Sequence, residues 1–381
     1  HQNMRSAALI VVRSLQEAGH TAYFAGGCVR DMLMGQRPHD FDVATSARPE
    51  QVVAMFRRTQ QVGAKFGVVL VRIAQFAIEV ATFRADVDYE DGRHPTHVRF
   101  TDAREDAQRR DFTINGMFYD PVSREVVDFV GGRDDLSARV LRAIGEAERR
   151  FEEDHLRILR AVRFSARLGF PIERRTWSAM RAHAPAIQRI SPERIREELD
   201  RMLVPPNRAQ ACRDLFRCDV VQYLWPSADA LLPHRRSILA LIEVLPGESS
   251  FELALAALLH RRSVSDADSA CQGLRCSNQT RKTVTWLVAK QDSLVSSADV
   301  TLADLKLLMA HPAFDQLLTL FGAKLRSCGL SSTAHRRIVA RVRRVRPEEI
   351  TPPPWVNGDH LEALGLPKGP AYKRILEQVY Y

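Results

Sequence analysis

The chain has 381 residues, 45% of them hydrophobic, and a formal charge of +9, enough for two or three cores and suited to an anionic partner without naming one. No stretch approaches the roughly 20 apolar residues of a membrane span, and His1-Gln2-Asn3-Met4 carries no apolar run of a signal peptide, so a cytoplasmic protein with no membrane attachment is expected. Cys28, Cys212, Cys218, Cys271, Cys276 and Cys328 show no C-x-x-C spacing and fit reduced, mostly buried thiols rather than a secreted disulfide framework.

In chain order, Ser6 to Ala18, ended by Gly19, predicts an opening helix. The apolar Thr21 to Ala25 then runs into Gly26-Gly27, followed by a helix-compatible Val29 to Met34. Glycines there let backbone N–H groups approach phosphate closely, and a helix N-terminus favours negative charge. The pattern is neither a P-loop nor G-x-G-x-x-G, and taken alone a glycine pair is more often a tight turn. Next comes Asp40-Phe41-Asp42. In an extended strand Asp40 and Asp42 share one face while Phe41 and Val43 share the other. Two anions on one side call for a cation, and the glycine pair nearby points to a divalent metal carrying a nucleoside triphosphate.

Val68 to Val71 predicts a buried strand and Ala77 to Phe83 a half-buried one, in which Glu79 opposes Ile78 and Val80 and offers a third carboxylate. Arg109-Arg110-Asp111-Phe112-Thr113-Ile114-Asn115 predicts a strand-to-helix junction. If the helix starts at Asp111, Asp111 and Asn115 stack at i, i+4 toward a ribose, and the arginines clamp phosphate. Glu153 to Phe164 predicts an amphipathic helix with Leu156, Leu159 and Val162 on one side and Asp154, Arg157 and Arg160 on another. Asp154 with Arg157 forms an acceptor-plus-donor unit that matches a base edge of C or A; its plain alternative is a surface ion pair.

Beyond about residue 135 the patterns are helical, punctuated by Pro171, Pro205-Pro206, Pro226, Pro246-Gly247 and Pro352-Pro353-Pro354. His335-Arg336-Arg337 and Arg341 to Arg346 predict a basic band on a helix, which suits a phosphate-tracking surface or a merely solvated face. No short repeat or low-complexity tract is present. The helical pattern from Tyr372 is still running at Tyr381, which fits either a short tail or a further C-terminal piece.

Taken together, GGCVRD, HDFDVAT, IEVATFR, DYEDGRHPTHVRF, RRDFTING, EDHLRILRAVRF and ISPERIREEL, spread over about residues 20 to 203, resemble the class II tRNA nucleotidyltransferases, the CCA-adding enzymes, and the related bacterial poly(A) polymerases. Fainter likeness continues through Trp355 to Leu361 and Leu366 to Pro370.

The resemblance implies an α+β, polymerase-β-like head over 1–140, then an all-α neck (141–205), body (206–300) and tail (301–381) that grip the tRNA acceptor stem and elbow. It implies that Asp40 and Asp42 bind Mg²⁺ with Glu79 as third acid. It places Gly26, Gly27 and Arg30 near the triphosphate, Arg110, Asp111 and Asn115 near ribose and phosphate, and Asp154 and Arg157, with Arg160 and Arg163 beside them, at the base. The implied activity is addition of C and A from CTP and ATP to the tRNA 3′ end by attack of the 3′ hydroxyl on the α-phosphate, with no obligate protein partner.

Within that family the residues from Arg84 to Pro95 match a full-length flexible loop, against a CC-only enzyme. Gly63-Ala64-Lys65-Phe66 and the lack of an insertion before Arg109 depart from the poly(A) polymerase pattern. An A-adding specialist remains the first alternative, followed by a poly(A) polymerase and by an RNA-binding protein with a decayed head. Many relatives carry a phosphohydrolase His-Asp pair. Here His260 is followed by Arg261 and is expected to be structural.

Overall fold

The computed structural model describes residues 3–61, 67–89, 95–204, 207–295, 300–351, 356–366 and 369–380. The segments around Gly63 to Phe66, Trp355 and Pro367-Lys368 lie outside the described residues. The chain forms two compact units, His1–Leu232 and Pro233–Tyr381.

The first unit opens with helix α1 (Met4–Glu17), which starts two residues before the expected Ser6 because the Asn3 side chain accepts the Ser6 N–H at 2.9 Å. Its buried Ala7, Ala8, Val11, Val12 and Leu15 recur at helical spacing and pack on the sheet. That sheet contains β1 (Ala22–Ala25), β2 (Asp42–Thr45), β3 (Thr59–Gln61), β4 (Val68–Ile73) and β5 (Phe76–Thr82). A separate hairpin, β6 (Arg84–Tyr89) with β7 (Pro95–Phe100), follows, and β8 (Phe118–Asp120) and β9 (Glu125–Val127) return to the main sheet. Its order is β3-β4-β5-β2-β1-β8-β9, antiparallel except where β2 runs parallel to β5. Helices α2 (Gly27–Leu33), α3 (Pro49–Met55), α4 (Ala103–Gln108) and α5 (Gly132–Ala138) accompany the sheet.

The strands alternate between two cores. Phe24, Phe41, Val43, Ile78 and Val80 face α1, while Ala25, Ala44, Phe83 and Phe118 join Ala107 of α4 on the other side. β1 pairs Ala25 with Asp42, and β2 pairs Val43 with Val80. Asp42 and Glu79 therefore emerge together at the end of the sheet where β1 runs into Gly26.

Three strand expectations change. β2 begins at Asp42, so Asp40 lies in the preceding extended segment; Phe41 nevertheless packs its ring 5.1 Å from Phe24, which leaves both acids outward. β4 is not a continuous buried run: Val69 and Val71 are buried and Val68 and Leu70 half-buried, because only one of its faces joins the buried core. The expected loop after Arg84 is the β6–β7 hairpin, closed by register pairs from Arg84–Phe100 to Tyr89–Pro95; the connection at 90–94 lies outside the described residues.

The remainder of this unit is helical: α6 (Ala147–Glu153), α7 (Leu156–Leu168), α8 (Arg174–His183), α9 (Pro192–Leu203) and α10 (Arg208–Arg217). Ser191 and Pro192 begin α9 as expected, although the cap comes from backbone geometry rather than a Ser191 side-chain bond.

The second unit is helical throughout its described residues. It comprises α11 (Arg235–Glu243), α12 (Phe251–Leu258), α13 (Val264–Gly273), α14 (Asn278–Lys290), α15 (Leu302–Met309), α16 (Phe314–Ser327), α17 (Thr333–Val342), α18 (Gly358–Ala363) and α19 (Pro370–Tyr380). Side chains of Ser250, Ser263, Ser277 and Thr301 accept the exposed N–H three residues on at four of these helix starts.

The basic band is divided by packing. His335 lies against Phe321, and burial lowers its pKa. Arg341 donates to the Val300 carbonyl at 2.6 Å and Arg346 pairs with Glu349 at 2.5 Å, leaving Arg336, Arg337, Arg343 and Arg344 on the exposed face. None of the cysteines is in a disulfide, and Cys28, Cys212, Cys218 and Cys271 are buried.

His260, half-buried after α12, donates from Nδ1 to the Ala257 carbonyl at 2.8 Å. Burial, opposed by that bond and reinforced by Arg261, Lys324 and His234, lowers its pKa to about 4. The folded state thus binds fewer protons than the unfolded chain between pH 4 and 6.5, and stability is present above that window and lost as pH falls through it. Urea unfolding followed by tryptophan fluorescence is expected to show this loss, and His260→Gln to flatten it; an unchanged slope would refute the assignment.

Candidate active site

At the Gly26 end of the sheet a cleft of about 770 Å³ opens between the sheet and the α7–α9 helices. Gly26 holds φ +73° as N-cap of α2, a conformation that a side chain would strain. A Cβ there would also stand 3.2 Å from Arg110 Nη1, so the bare backbone is what lets this arginine approach. Asp40 and Asp42 form one wall of the cleft.

Asp42 is open to the cleft yet enclosed enough that burial, followed by the charge of Glu79, raises its pKa to about 6; Arg110 pulls it down and Asp40 pushes it further up. The three acids thus act on one another electrostatically, though among the described residues no three His, Cys, Asp or Glu side chains gather closely enough to hold one ion together. The donor set fits Mg²⁺ in a particular way. Hard oxygen ligands from two carboxylates, with excess negative charge between them, suit an ion that takes its remaining ligands from water and substrate phosphate.

Facing the acids stands an array of arginines, most of them held by a carboxylate. Arg30 donates to Asp31 at 2.6 Å and to the Asn115 side-chain oxygen at 2.7 Å, so its guanidinium is committed within the wall. Arg110 pairs with the buried Asp106 at 2.9 Å and lies over the Phe118 ring. Arg109 shares Asp106, whose pKa these two arginines and the Arg84 N–H lower against the opposing effect of burial.

Asp111 accepts from Arg160 at 2.9 and 2.6 Å, and although burial pushes its pKa up, Arg160 and the Phe112 N–H bring it below the ordinary carboxylate range. Arg163 is bound to the buried Glu198 at 2.7 Å. The guanidiniums of Arg30, Arg160 and Arg163 all lie over Phe164, at 5.5, 5.3 and 4.3 Å from the ring centroid.

Two expected local geometries differ. No helix starts at Asp111: a single 3₁₀ turn spans Thr113–Asn115, and Asp111 and Asn115 still meet, at 3.4 Å. The helix expected from Glu153 to Phe164 is broken. Asp154 is an extended C-cap of α6 whose side chain accepts the Leu156 N–H at 3.1 Å and so opens α7.

Asp154 and Arg157 both line the cleft but do not pair with each other. Asp154 binds Arg194 at 3.1 Å, while Arg157 binds Glu153 and the carbonyls of Arg150 and Arg109. Asp106, Arg194 and Glu198 escaped the sequence reading. The spacing of Asp106 to Arg109 and Arg110 is a legible helix signal, whereas Arg194 and Glu198 meet partners 40 and 35 residues away.

Such a mixed sheet with acids at one end, facing an arginine-lined cleft, defines the chain as a nucleotidyltransferase. A family model for the Poly A polymerase head domain matches residues 22–142, and one for the probable RNA and SrmB-binding site of polymerase A matches residues 169–232. The CCA-adding enzyme of Streptococcus pyogenes serotype M2 is 39% identical over 286 residues, 74% of this chain and 70% of the relative. The crystal structure of the Bacillus stearothermophilus CCA-adding enzyme in complex with CTP is 30% identical, with a TM-score of 0.82 over 100% of this chain and 92% of that one. The Thermotoga maritima CCA-adding enzyme complexed with tRNA shares the fold, with a TM-score of 0.70 at 21% identity over 97% and 88% of the two chains. The chain belongs to the CCA-adding enzyme family of tRNA nucleotidyltransferases.

Removing Arg160 leaves Asp111 with only partial compensation in a buried position. Because one edge of Arg160 faces the cleft, Arg160→Ala is expected to cost about 2–3 kcal/mol, below the 3–5 typical of a fully enclosed pair. Chemical denaturation measures this, and a loss under about 1 kcal/mol would show that the pair does not hold the cleft walls.

Proposed function

We propose that the protein completes and repairs the 3′ CCA end of tRNA, adding C and then A from CTP and ATP. The observation that carries this is the joining, in one cleft, of Asp40 and Asp42 to the Arg110–Asp111–Asn115 turn and to Asp154 and Arg157, with the charge of Glu79 acting on Asp42 from the neighbouring strand. The family membership and the CTP complex of the Bacillus stearothermophilus relative support the choice of substrate. The division into head (1–140), neck (141–205), body (206–300) and tail (301–381), with the body and tail helices on the tRNA, belongs to the same proposal, as does a cytoplasmic setting; no described helix is long and apolar enough to cross a membrane.

In this mechanism the cleft binds the triphosphate between the Gly26-Gly27 backbone and Arg110. Asp111 and Asn115 lie at the ribose, and Arg160 and Arg163 shape the pocket around Phe164. The tRNA 3′ oxygen forms a bond to the α-phosphorus as the bond from that phosphorus to its bridging oxygen breaks. Pyrophosphate leaves with the electron pair, and the hydroxyl proton passes to solvent. Asp40 and Asp42, with Glu79 on the strand beside Asp42, would hold Mg²⁺. When bound, the ion supplies positive charge to the triphosphate and makes the hydroxyl easier to deprotonate.

Asp154 and Arg157 read the base: the carboxylate accepts from the exocyclic amino group shared by C and A, and the guanidinium donates to ring or carbonyl acceptors. For this, both side chains exchange part of their present bonds, to Arg194 and Glu153, for bonds to the nucleotide. Arg30 acts indirectly, by fixing Asn115.

The test supplies CTP and ATP separately to tRNA ending before C74, tRNA ending after C75, and unstructured RNA. Addition of C to the first and A to the second is expected. A alone, on the CC-ending substrate only, would identify an A-adding enzyme, and many A residues on unstructured RNA a poly(A) polymerase. Asp40→Ala and Asp42→Ala are each expected to lower incorporation by at least about 10²-fold. Their tRNA affinity should stay within about twofold, because distributed phosphate contacts dominate binding; parallel loss of both would contradict the catalytic assignment.

A further inference from the structure

Helix α13 ends in a doubly bonded reverse turn. The Cys276 N–H donates to the Cys271 carbonyl at 2.9 Å and the Arg275 N–H to the Gln272 carbonyl at 3.0 Å, with Arg275 left-handed at φ +52°. Such a turn folds the chain back so that the third residue from the helix end meets the second residue after the cap. The same two bonds close α10, α16 and α18, where the residues at these positions are Leu215 with Val220, Leu325 with Leu330 and Leu361 with Leu366. Of these four turns, α13 has two cysteines where the others have an apolar pair. The Cys271 thiol is hydrogen-bonded to that of Cys276, and Cys271 is buried while Cys276 is half-buried. Arg281 of α14 donates to Asp268 of α13 at 3.1 Å and ties the two helices together across the turn.

We propose that Cys271 and Cys276 form a reversible oxidation site, closing a disulfide by exchange with a low-molecular-weight disulfide. An apolar pair at these positions can only pack, whereas two thiols held in contact can each give up a proton and join. Cys276 reacts first, because it is the one that solvent reaches. Its thiolate forms a bond to one sulfur of the small disulfide, and the other sulfur leaves as a thiolate with the electron pair. Cys271 then forms a bond to the Cys276 sulfur and displaces the second small thiolate. The two cysteines are oxidised, the small disulfide is reduced to two thiols, and the protons lost by the cysteines end on those thiols. The new bond pins the turn between α13 and α14, with the left-handed Arg275 inside the closed ring.

The test incubates the full chain, reduced and freed of reductant, with mixtures of reduced and oxidised glutathione, blocks remaining thiols with iodoacetamide and digests with trypsin without reduction. Trypsin cuts after Arg275, so the Ser263–Arg275 and Cys276–Arg281 peptides stay together only through the new bond. Mass spectrometry is expected to find them joined, and to find them separate after dithiothreitol. The exposed Cys328 is the internal control and should carry the glutathione adduct instead. In Cys271→Ser, with circular-dichroism melting matched to the parent, the adduct should remain on Cys276. At a fixed glutathione ratio, the proportion of joined peptide to Cys276 adduct should be at least about tenfold higher in the native chain than in urea, because the fold holds the thiols together. Cys276 that keeps its adduct in the native parent would show that the contact is packing alone and overturn the proposal. So would equal proportions in native and urea-unfolded chains, since the turn would then contribute nothing to bond formation.

Discussion

The ion pair between Asp111 and Arg160 joins the sheet-bearing segment to α7, and the arrangement of the cleft depends on it. Asp111 sits in the turn after α4, where the chain leaves Arg109 and Arg110 and enters Thr113–Asn115. Arg160 lies in the middle of α7, between the Glu153-bound Arg157 and the Glu198-bound Arg163. Fixing these two side chains against each other sets the distance between the acids on the sheet and the arginines on the helix. The Phe164 ring reinforces the join, since Phe112 meets its edge at 5.9 Å while arginines cover its face.

The same pair illustrates how so many guanidiniums share one cleft. Arginines this close repel one another strongly in a partly desolvated site, and the structure answers with paired carboxylates: Asp31 for Arg30, Asp106 shared by Arg109 and Arg110, Glu153 for Arg157, Asp111 for Arg160, Glu198 for Arg163 and Asp154 for Arg194. These pairs are not simply sources of stability, because desolvation offsets much of their attraction. They hold donors in fixed positions, and those at the cleft surface can redirect bonds to an incoming anion. The acid side is the complement: Asp40 and Glu79 crowd negative charge around Asp42, with Arg110 as opposing cation, which leaves a deficit of positive charge at that wall of the cleft.

Much of this was legible in the order of residues. The alternation of Phe41 and Val43 with the two acids placed Asp40 and Asp42 outward even though only Asp42 belongs to β2. Ile78 and Val80 likewise oriented Glu79, and the parallel register of β2 with β5 then brought it beside Asp42. Apolar periodicity located α1 and β5 to within two residues. It failed at Asp154, where the periodic pattern runs through without interruption. An Asp side chain that caps the next helix competes with helix continuation, and nothing in spacing alone records which of the two prevails. The hairpin after Arg84 was equally hidden, since its polar strands pair with each other outside the main sheet.

The sequence by itself determined the kinds of chemistry present: paired acids beside a glycine turn, an Arg-Arg-Asp turn, and an arginine-rich helix, all local patterns governed by strand and helix periodicity. Only the tertiary structure decided which partners these groups have. Asp154 binds Arg194 rather than Arg157, Arg163 binds Glu198, and Asp111 binds Arg160. These choices join residues 35 to 49 positions apart. They depend on how α7 and α9 pack against each other and against the sheet, and packing is a property of whole elements that no short stretch of sequence contains.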